Sequence, residues 1–471
     1  MQPELYDKSI NQKLNLLTQG FIEQRYPSYR TRKERLLRLK KMLLEHKGGL
    51  MGAMKSDFSS RSEHEMLLTE ISSVVHYINY LISHLKKWMR PEKRKLALHL
   101  RPGNAKIYYQ PLGVIGVMVP FNYPIYLACM PLATALAAGN RVMIKMPEAT
   151  PQTSEYFSTL INNTFTGDEV QIVLGEVEIS TAFSALPFDH LLFTGSSEVG
   201  KSVMAAAAKN LTPVTLELGG KCPVIIDDDA CLRTAAASIC FGKSLNAGQT
   251  CVAPDYVLVC RDKLPTFVYE YQNAYKDFFP YVQENEDVTS IINKEHIERL
   301  EELIEDASSK GATIVRLSEE VLPVGSRKFI PALVIGVNDT MKLSHEEIFG
   351  PILVIQAVVD LDDAIQHINA RPRPLSLYFF GNKTEHQNKV LVSTLSGNAA
   401  FNEVVLPIAV DDMPFGGVGN SGMGRYHGKE GFIALSHPRS VLSKPSFNLT
   451  KILYPPYGGR LSNLIFKWLL R

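Results

Sequence analysis

The chain has 471 residues, 45% hydrophobic and 21% charged, an ordinary globular balance that can bury a core without disulfides or structural metal. A formal net charge of +2 carries no polyanion-binding signature, which sets nucleic acid aside as a partner. Six cysteines (Cys129, Cys222, Cys231, Cys240, Cys251 and Cys260) include no C-x-x-C pair and have no histidine cluster beside them, so neither zinc nor a disulfide framework is expected.

The start, MQPELYDKSINQKLN, lacks the apolar core of a signal peptide, and no run reaches the length of a membrane span. A cytoplasmic protein with reduced thiols is the expectation. The length favours two domains or one double-lobed unit. TRKERLLRLKKMLLEH and EHEMLLTEISSVVHYINYLISHLKKWM repeat apolar residues at helical spacing, and Arg90-Pro91 closes that helical region. From Gly113, short apolar runs (GVIGVMVP, RVMIKMP, VQIVLG, HLLFTG) alternate with helical stretches such as TSEYFSTLINNTF. That alternation predicts βαβ units and a parallel sheet suited to a nucleotide. After TPVTLELGGKCPVIID a second α/β stretch follows, with DYVLVC, NKEHIERLEELIEDASSKG, GPILVIQAVVD and LSLYFFGN. The segment Pro414–Gly431, PFGGVGNSGMGRYHGKEG, reads as loop throughout because of its glycines. The apolar tail LSNLIFKWLLR is expected to pack on a partner subunit rather than enter a membrane.

GSSEVGKS, from Gly195 to Ser202, satisfies the phosphate-loop pattern G-x-x-x-x-G-K-[ST]. A strand precedes it, Lys201 and Ser202 stand where phosphate and magnesium need them, and PVIID ends at Asp227 like a magnesium-binding strand. Against a triphosphate, the loop comes after several βα units and leaves little chain before Asp227. A glycine loop at a helix start serves any pyrophosphate through backbone amides, so the motif alone leaves triphosphate and dinucleotide both open.

Further stretches narrow the choice. TPVTLELGGK, SLNAGQTCVAP, PFNYP, FTGSSEVG, EEIFGP and PFGGVGNSGMG resemble, in order and spacing, the aldehyde dehydrogenase superfamily. AAAAKNLTPVTLELGGK and NAGQTCVAPDYVLV are similar to its class 3 branch, as, more weakly, are RPGNAKIYYQPLGVIG and the tail YPPYGGRLSNLIFKWLLR. The resemblance implies an α/β fold with a doubly wound coenzyme-binding domain (residues 1–90 and 111–218), an α/β catalytic domain (219–418) and an oligomerisation segment (91–110 and 419–471), the ligands lying between the lobes. It implies Cys251 as nucleophile, Asn122 with the Cys251 N–H as oxyanion donors, and Glu217 as the base that activates water. Gly195, Ser196 and Gly200 fall at the pyrophosphate, Lys145 and Glu148 at the adenosine ribose, and Glu347 with Phe349 at the nicotinamide ribose.

The implied cofactor is NAD, with NADP possible, because a carboxylate at the ribose accepts hydroxyl hydrogens and repels a 2′-phosphate. The implied substrate is an aldehyde, aromatic such as coniferyl aldehyde or medium- to long-chain aliphatic, and the implied assembly a homodimer. Two departures stand out: Lys145-Met146-Pro147-Glu148 moves the proline of the family's K-P-[SA]-E by one place, and Phe121 replaces a common Trp. The rivals are a CoA-acylating aldehyde dehydrogenase, a P-loop NTPase and a non-catalytic nucleotide-binding protein. Glu217 speaks against the first, and Cys251, Glu217 and Asn122 together against the last.

Overall fold

The computed structural model describes residues 3–97, 100–447, 450–451 and 454–470. The helical start is present as Pro3–Glu23, Tyr29–Phe58 and a third unit closing at Trp88, just before Arg90-Pro91. The third unit is not uniform: α-helical Glu63–Met66 and Ser73–Trp88 flank a π-helical turn, Leu67–Ser72. The Ser28 hydroxyl caps Tyr29–Phe58 by accepting the Thr31 N–H. At the far end of that helix the Asp57 carboxylate accepts the N–H groups of Gln152 and Thr153, in the first turn of Pro151–Thr164.

Five parallel strands follow: Val114–Met118, Arg141–Lys145, Val170–Val173, His190–Gly195 and Val214–Leu218. Val114–Met118 lies mid-sheet; the next two strands build to one side and the last two to the other. The winding therefore reverses between Val114–Met118 and His190–Gly195, whose carboxyl ends open the crevice where doubly wound sheets take ligands. The helix Pro124–Ala138 is buried along its whole length, as the apolar run YLACMPLATALAA requires.

A second sheet has the order Thr313–Arg316, Ala332–Ile335, Ile352–Val358, Pro254–Cys260, Cys222–Ile226, Ser376–Phe380, Asn398–Phe401. All its pairings are parallel except the first. A third, antiparallel sheet joins Glu92–Arg94, Asn104–Pro111 and Ser436–Ser443, binding the segment after Pro91 to the C-terminal region.

The glycine-rich segment is not loop throughout. Gly422–Met423 forms an edge strand antiparallel to Leu216–Glu217, and a helix spans Gly428–Ala434. A Cβ on Gly422 would strike the Leu216 carbonyl, and one on Gly431 the backbone of Tyr426. The glycines thus record close backbone approach as well as turns. The tail forms the helix Arg460–Leu469, while Arg471 lies outside the described residues.

Candidate active site

The carboxyl edge of the first sheet meets the amino edge of the second. Glu217 stands next to last in Val214–Leu218, and Gly219, Gly220 and Lys221 carry the chain to Cys222, which opens the neighbouring sheet. Asn122 follows Val114–Met118, Cys251 precedes Pro254–Cys260, and Glu347 and Phe349 precede Ile352–Val358. Short connections at this seam gather residues far apart in sequence.

The turn before Cys251 is unusual in its backbone. Asn246, Ala247 and Gly248 are all left-handed, with φ of 50°, 53° and 74°. A side chain on Gly248 would collide with the Gly350 carbonyl. The buried Gln249 amide holds the turn: it donates to the carbonyls of Asn246 (3.0 Å) and Ser290 (3.1 Å) and accepts the Ile292 N–H (3.0 Å). The Cys222 thiol donates to the Cys251 carbonyl at 3.4 Å, and the hydroxyls of Thr250 and Tyr123 share a hydrogen bond of 2.9 Å. Such strain, tied down on several sides, fixes one side chain in one place.

Burial pushes the Cys251 thiol up to about 12, and the charges of Glu347 and then Glu217 add to the shift. The N–H groups of Cys251 and Val252 oppose it, favouring the thiolate. Asn122 is buried; its Nδ2 donates to the Gln249 carbonyl at 3.0 Å, and its own carbonyl accepts from Asn246 Nδ2 at 2.8 Å. The amide has a second hydrogen to give.

Glu217 is 4% exposed and neither carboxylate oxygen has a hydrogen-bond partner. Burial holds its carboxyl well above the usual range, opposed by Arg425. Gly416 lies against it, where a Cβ would come within 2.9 Å of Oε1. An unpartnered buried carboxyl is costly to keep, which marks it as a group for chemistry rather than packing.

Glu347 is raised to about 7, by burial and then by Asp255, with the Gly220 N–H, Lys221 and Lys243 opposing. A Cβ on Gly219 would collide with its carboxylate. Phe349 holds a left-handed φ of 46°, and its ring meets Phe121 edge-on at 5.8 Å; Phe121 in turn meets His296 at 5.1 Å. Phe121, where the family commonly has Trp, thus keeps an aromatic wall here. Arg299 supports it by donating to the carbonyls of Glu347 and Ile348.

At the other end of the crevice, Ser196 caps the helix Ser197–Ala208 through the Val199 N–H, leaving a helix start beside Gly195. Gly200 packs on Leu218, where a Cβ would come within 2.6 Å. Lys145 is buried at its strand end, its ammonium donating to the Met146 carbonyl and, at 3.3 Å, to the half-exposed Glu148. Burial lowers the Lys145 ammonium, with Glu148 opposing. A helix start, a small-residue floor and a carboxylate–ammonium pair could hold a dinucleotide, in keeping with the crevice at the winding reversal. A cleft of about 450 Å³ is bordered by Ser197, at the start of that helix, and by Gly219, Gly220 and Glu347 at the seam.

The triphosphate reading of the same loop does not survive. Lys201 is exposed and paired with Glu198 at 2.7 Å instead of bending over the loop. Asp227 directly follows the strand Cys222–Ile226 of the other sheet and shares a hydrogen bond of 2.7 Å with His386 Nδ1.

Three functional candidates were missed in the sequence. Glu70, in the π-helical turn, accepts the N–H groups of Ile125 (3.0 Å) and Tyr126 (2.8 Å), just after Asn122. Glu65, raised to about 7 by burial, accepts the Asn246 N–H at 2.9 Å. Arg61 pairs with Glu70 at 3.0 Å and lies over the Tyr123 ring. One short segment therefore braces both the Asn122 loop and the Cys251 loop. Their charges look like those of any solvated helix face, and only a buried environment gives them away. An apolar cavity of about 160 Å³ reaches Cys251 from the opposite side, lined by residues that include Leu68, Tyr126, Leu127, Phe241, Leu406 and Ile408.

A doubly wound sheet abutting a second α/β sheet, with a cysteine, an amide and an unpaired carboxyl at their junction, defines a two-sheet, dinucleotide-linked oxidoreductase class. The chain belongs to the aldehyde dehydrogenase family, whose model matches residues 16–441, and is an NAD(P)-dependent enzyme of that family. It is 48% identical to the probable coniferyl aldehyde dehydrogenase of Pseudomonas aeruginosa, over 99% of both chains. It is 37% identical to the dimeric NADP-preferring aldehyde dehydrogenase of Rattus norvegicus, over 96% of this chain and 99% of that one. The solved substrate-bound Staphylococcus aureus AldH superposes with a TM-score of 0.93 at 36% identity, covering 98% of this chain and 99% of its own.

Proposed function

We propose that this protein oxidises an aromatic aldehyde of the coniferyl type to its carboxylic acid, with NAD as electron acceptor and water as the final nucleophile. The reading rests above all on Glu217: a buried carboxyl with two unpartnered oxygens beside the Cys251 thiol has an obvious use only if a proton must be taken from water there.

In this reading the Cys251 sulfur attacks the aldehyde carbon, and the thiol proton passes to solvent as the S–C bond forms and the C=O π pair moves onto oxygen. The resulting alkoxide takes hydrogen bonds from Asn122 Nδ2 and the Cys251 N–H, donors of a kind worth ~10²–10³ in rate. When bound, the dinucleotide would supply a two-electron acceptor for the former aldehyde hydrogen, which leaves the alkoxide carbon with its electron pair as the C–H bond breaks, so that Cys251 carries a thioester. Glu217 then removes a proton from water, which cleaves the thioester and returns Cys251. Gly195, Ser196 and Gly200 would hold the pyrophosphate, Lys145 and Glu148 the adenosine ribose, and Glu347 and Phe349 the nicotinamide ribose.

The half-exposed Glu148 favours NAD, since a 2′-phosphate would meet its charge. The aromatic and aliphatic lining of the cavity at Cys251 suits a flat aromatic aldehyde, as does the similarity to the probable coniferyl aldehyde dehydrogenase of Pseudomonas aeruginosa. The dimeric rat relative supports a homodimer built on residues 91–110 and 419–471, with residues 1–90 and 111–218 binding cofactor and 219–418 carrying the nucleophile. We place the enzyme in the cytoplasm; among the described residues no helix is long and apolar enough to cross a membrane.

The test is a panel of aromatic and aliphatic aldehydes followed by reduced-nicotinamide absorbance, with NAD and NADP in parallel and no CoA present. The expected result is carboxylic acid in equal yield with reduced NAD, fastest for the aromatic aldehydes. Acyl-CoA formation only on adding CoA, or preference for a long aliphatic aldehyde, would overturn the proposal.

A further inference from the structure

Arg425 carries a charge that no acid answers. Its Nη1 donates to the carbonyls of Gly417 (3.0 Å) and Gly424 (2.6 Å), which ties the half-buried side chain across two glycine stretches. Among the described residues its Nε and Nη2 donate no hydrogen bond, and no carboxylate lies within ion-pair range of it. Glu217 is the matching case, a buried carboxyl with neither oxygen partnered.

The two groups meet at Gly416. A Cβ there would come within 2.9 Å of Glu217 Oε1 and within 2.9 Å of Arg425 Cδ. One absent carbon therefore spans the space between an unpaired carboxyl and the stem of an unpaired arginine. The backbone explains the meeting: Gly422 pairs with Glu217 across the antiparallel edge, and Arg425 follows three residues on. Cys251, Tyr126 and Tyr426 also face the Glu217 charge, and each is neutral when protonated. Among the described residues Arg425 is the cation that acts on Glu217, and it opposes the effect of burial.

We propose that Arg425 is a positioning residue for thioester hydrolysis, supplying from beyond hydrogen-bonding distance the positive charge that Glu217 needs to act as a base. This role presupposes Glu217 as the base, as proposed above. A buried carboxyl with no cation near it stays protonated and cannot take a proton from water. One in direct contact with an arginine has its oxygens occupied by the guanidinium. A cation at one remove favours the ionised form and leaves both oxygens free for water. The water oxygen then bonds to the thioester carbon as one of its protons passes to Glu217. The C–S bond breaks with its electron pair on sulfur, and the proton on Glu217 returns to that thiolate, which leaves Glu217 ionised for the next turnover.

The experiment removes the charge by two routes, Arg425→Gln and Arg425→Met, and keeps it in Arg425→Lys. Acid release is followed across pH in single turnovers with aldehyde and NAD, alongside the burst of reduced nicotinamide. In both neutral variants the pH of half-maximal acid release should rise by about one unit, so that release is ~10-fold slower below it and regains the wild-type plateau above it. The burst and the dinucleotide Kd should stay within about twofold of wild type, and Arg425→Lys should bring the profile back toward wild type. A fall by one factor at every pH, an unshifted profile in both neutral variants, or a lysine variant as impaired as the glutamine one would overturn the proposal, making Arg425 only a brace for Gly417 and Gly424. Glu217→Gln is run alongside. Acid release that stays fast in it withdraws the base and the role of Arg425 together, whereas slow release there with an unshifted Arg425→Gln withdraws Arg425 alone.

Discussion

Replacing Arg61 with leucine removes the cation from a pair in which both side chains have no solvent exposure. Glu70 would then stay buried, still accepting from Ile125 and Tyr126, but with its charge uncompensated. Breaking one side of a buried pair costs about 3–5 kcal/mol, which is expected here because no other cation contacts Glu70 among the described residues. The loss should depend on pH. Burial already holds the Glu70 carboxyl above its usual range with Arg61 opposing, and removing Arg61 raises it further. A carboxyl raised in the folded state is favourable when protonated and unfavourable when ionised. Stability therefore falls as pH climbs from the unfolded carboxylate range toward the raised folded value, so the variant should lose more at pH 8 than at pH 5. Urea midpoints at the two pH values measure this. Adding Glu70→Gln to the variant should recover most of the loss, since a neutral amide oxygen still accepts the two N–H groups. Because Arg61 lies over Tyr123, whose hydroxyl reaches Thr250, kcat should also fall while dinucleotide Kd holds. A wild-type midpoint at both pH values, or a double variant less stable than the single one, would refute the reasoning.

Cys251→Ser should end turnover and leave dinucleotide binding measurable; in the wild type, iodoacetamide alkylation without cofactor should climb steadily to at least about pH 10, since the thiol sits near 12. Glu217→Gln should slow acid release far more than electron transfer in a single turnover. The same step in the wild type should rise with pH through a value well above the ordinary carboxylate range, because the base works only when ionised. Lys201→Ala should leave dinucleotide Kd within twofold, as its partner is the exposed Glu198, whereas a phosphate-gripping lysine would cost far more. Gly219→Ala should cripple cofactor use by displacing Glu347, read as a rise in dinucleotide KM; an unchanged KM would show that Glu347 does not contact the cofactor.

What could be read from the sequence was what a local chemical constraint writes locally. The βαβ alternation gave the parallel sheet because strands buried on both faces are apolar through their middles, as Arg141–Lys145 (VMI) and His190–Gly195 (LLF) are, and the doubly wound order came from the family resemblance. SLNAGQTCVAP pointed to Cys251 through the family resemblance, whereas the left-handed backbone at Asn246, Ala247 and Gly248 was not read from it. GSSEVGKS stayed ambiguous for a physical reason: glycine loops advertise access to an anion, not which anion. The distinction lay in where Lys201 points and in which sheet Asp227 belongs to, neither of which is local. Pro414–Gly431 was misjudged because glycine permits both turns and close strand contact, and only the partner Leu216–Glu217 tells them apart.

Arg61, Glu65 and Glu70 were invisible for the converse reason. Charges at helical spacing normally face water, and nothing in SRSEHEMLLTEIS reveals that the segment packs beneath the two loops. The placement nonetheless follows from the chemistry the seam demands. Asn122 follows a strand of one sheet and the Cys251 loop precedes a strand of the other, so a segment that touches both adds to the direct hydrogen bonds between them. Helix starts and left-handed turns leave N–H groups without partners, and carboxylates are the side chains that satisfy them most strongly. A buried carboxylate such as Glu70 needs a cation, and Arg61 is the one at hand. The same burial that raises Glu65 and Glu70 raises Cys251, Glu217 and Glu347. A substitution that admits water at the seam should therefore lower all five together, whereas one that only removes a neighbouring charge should move its own partner alone.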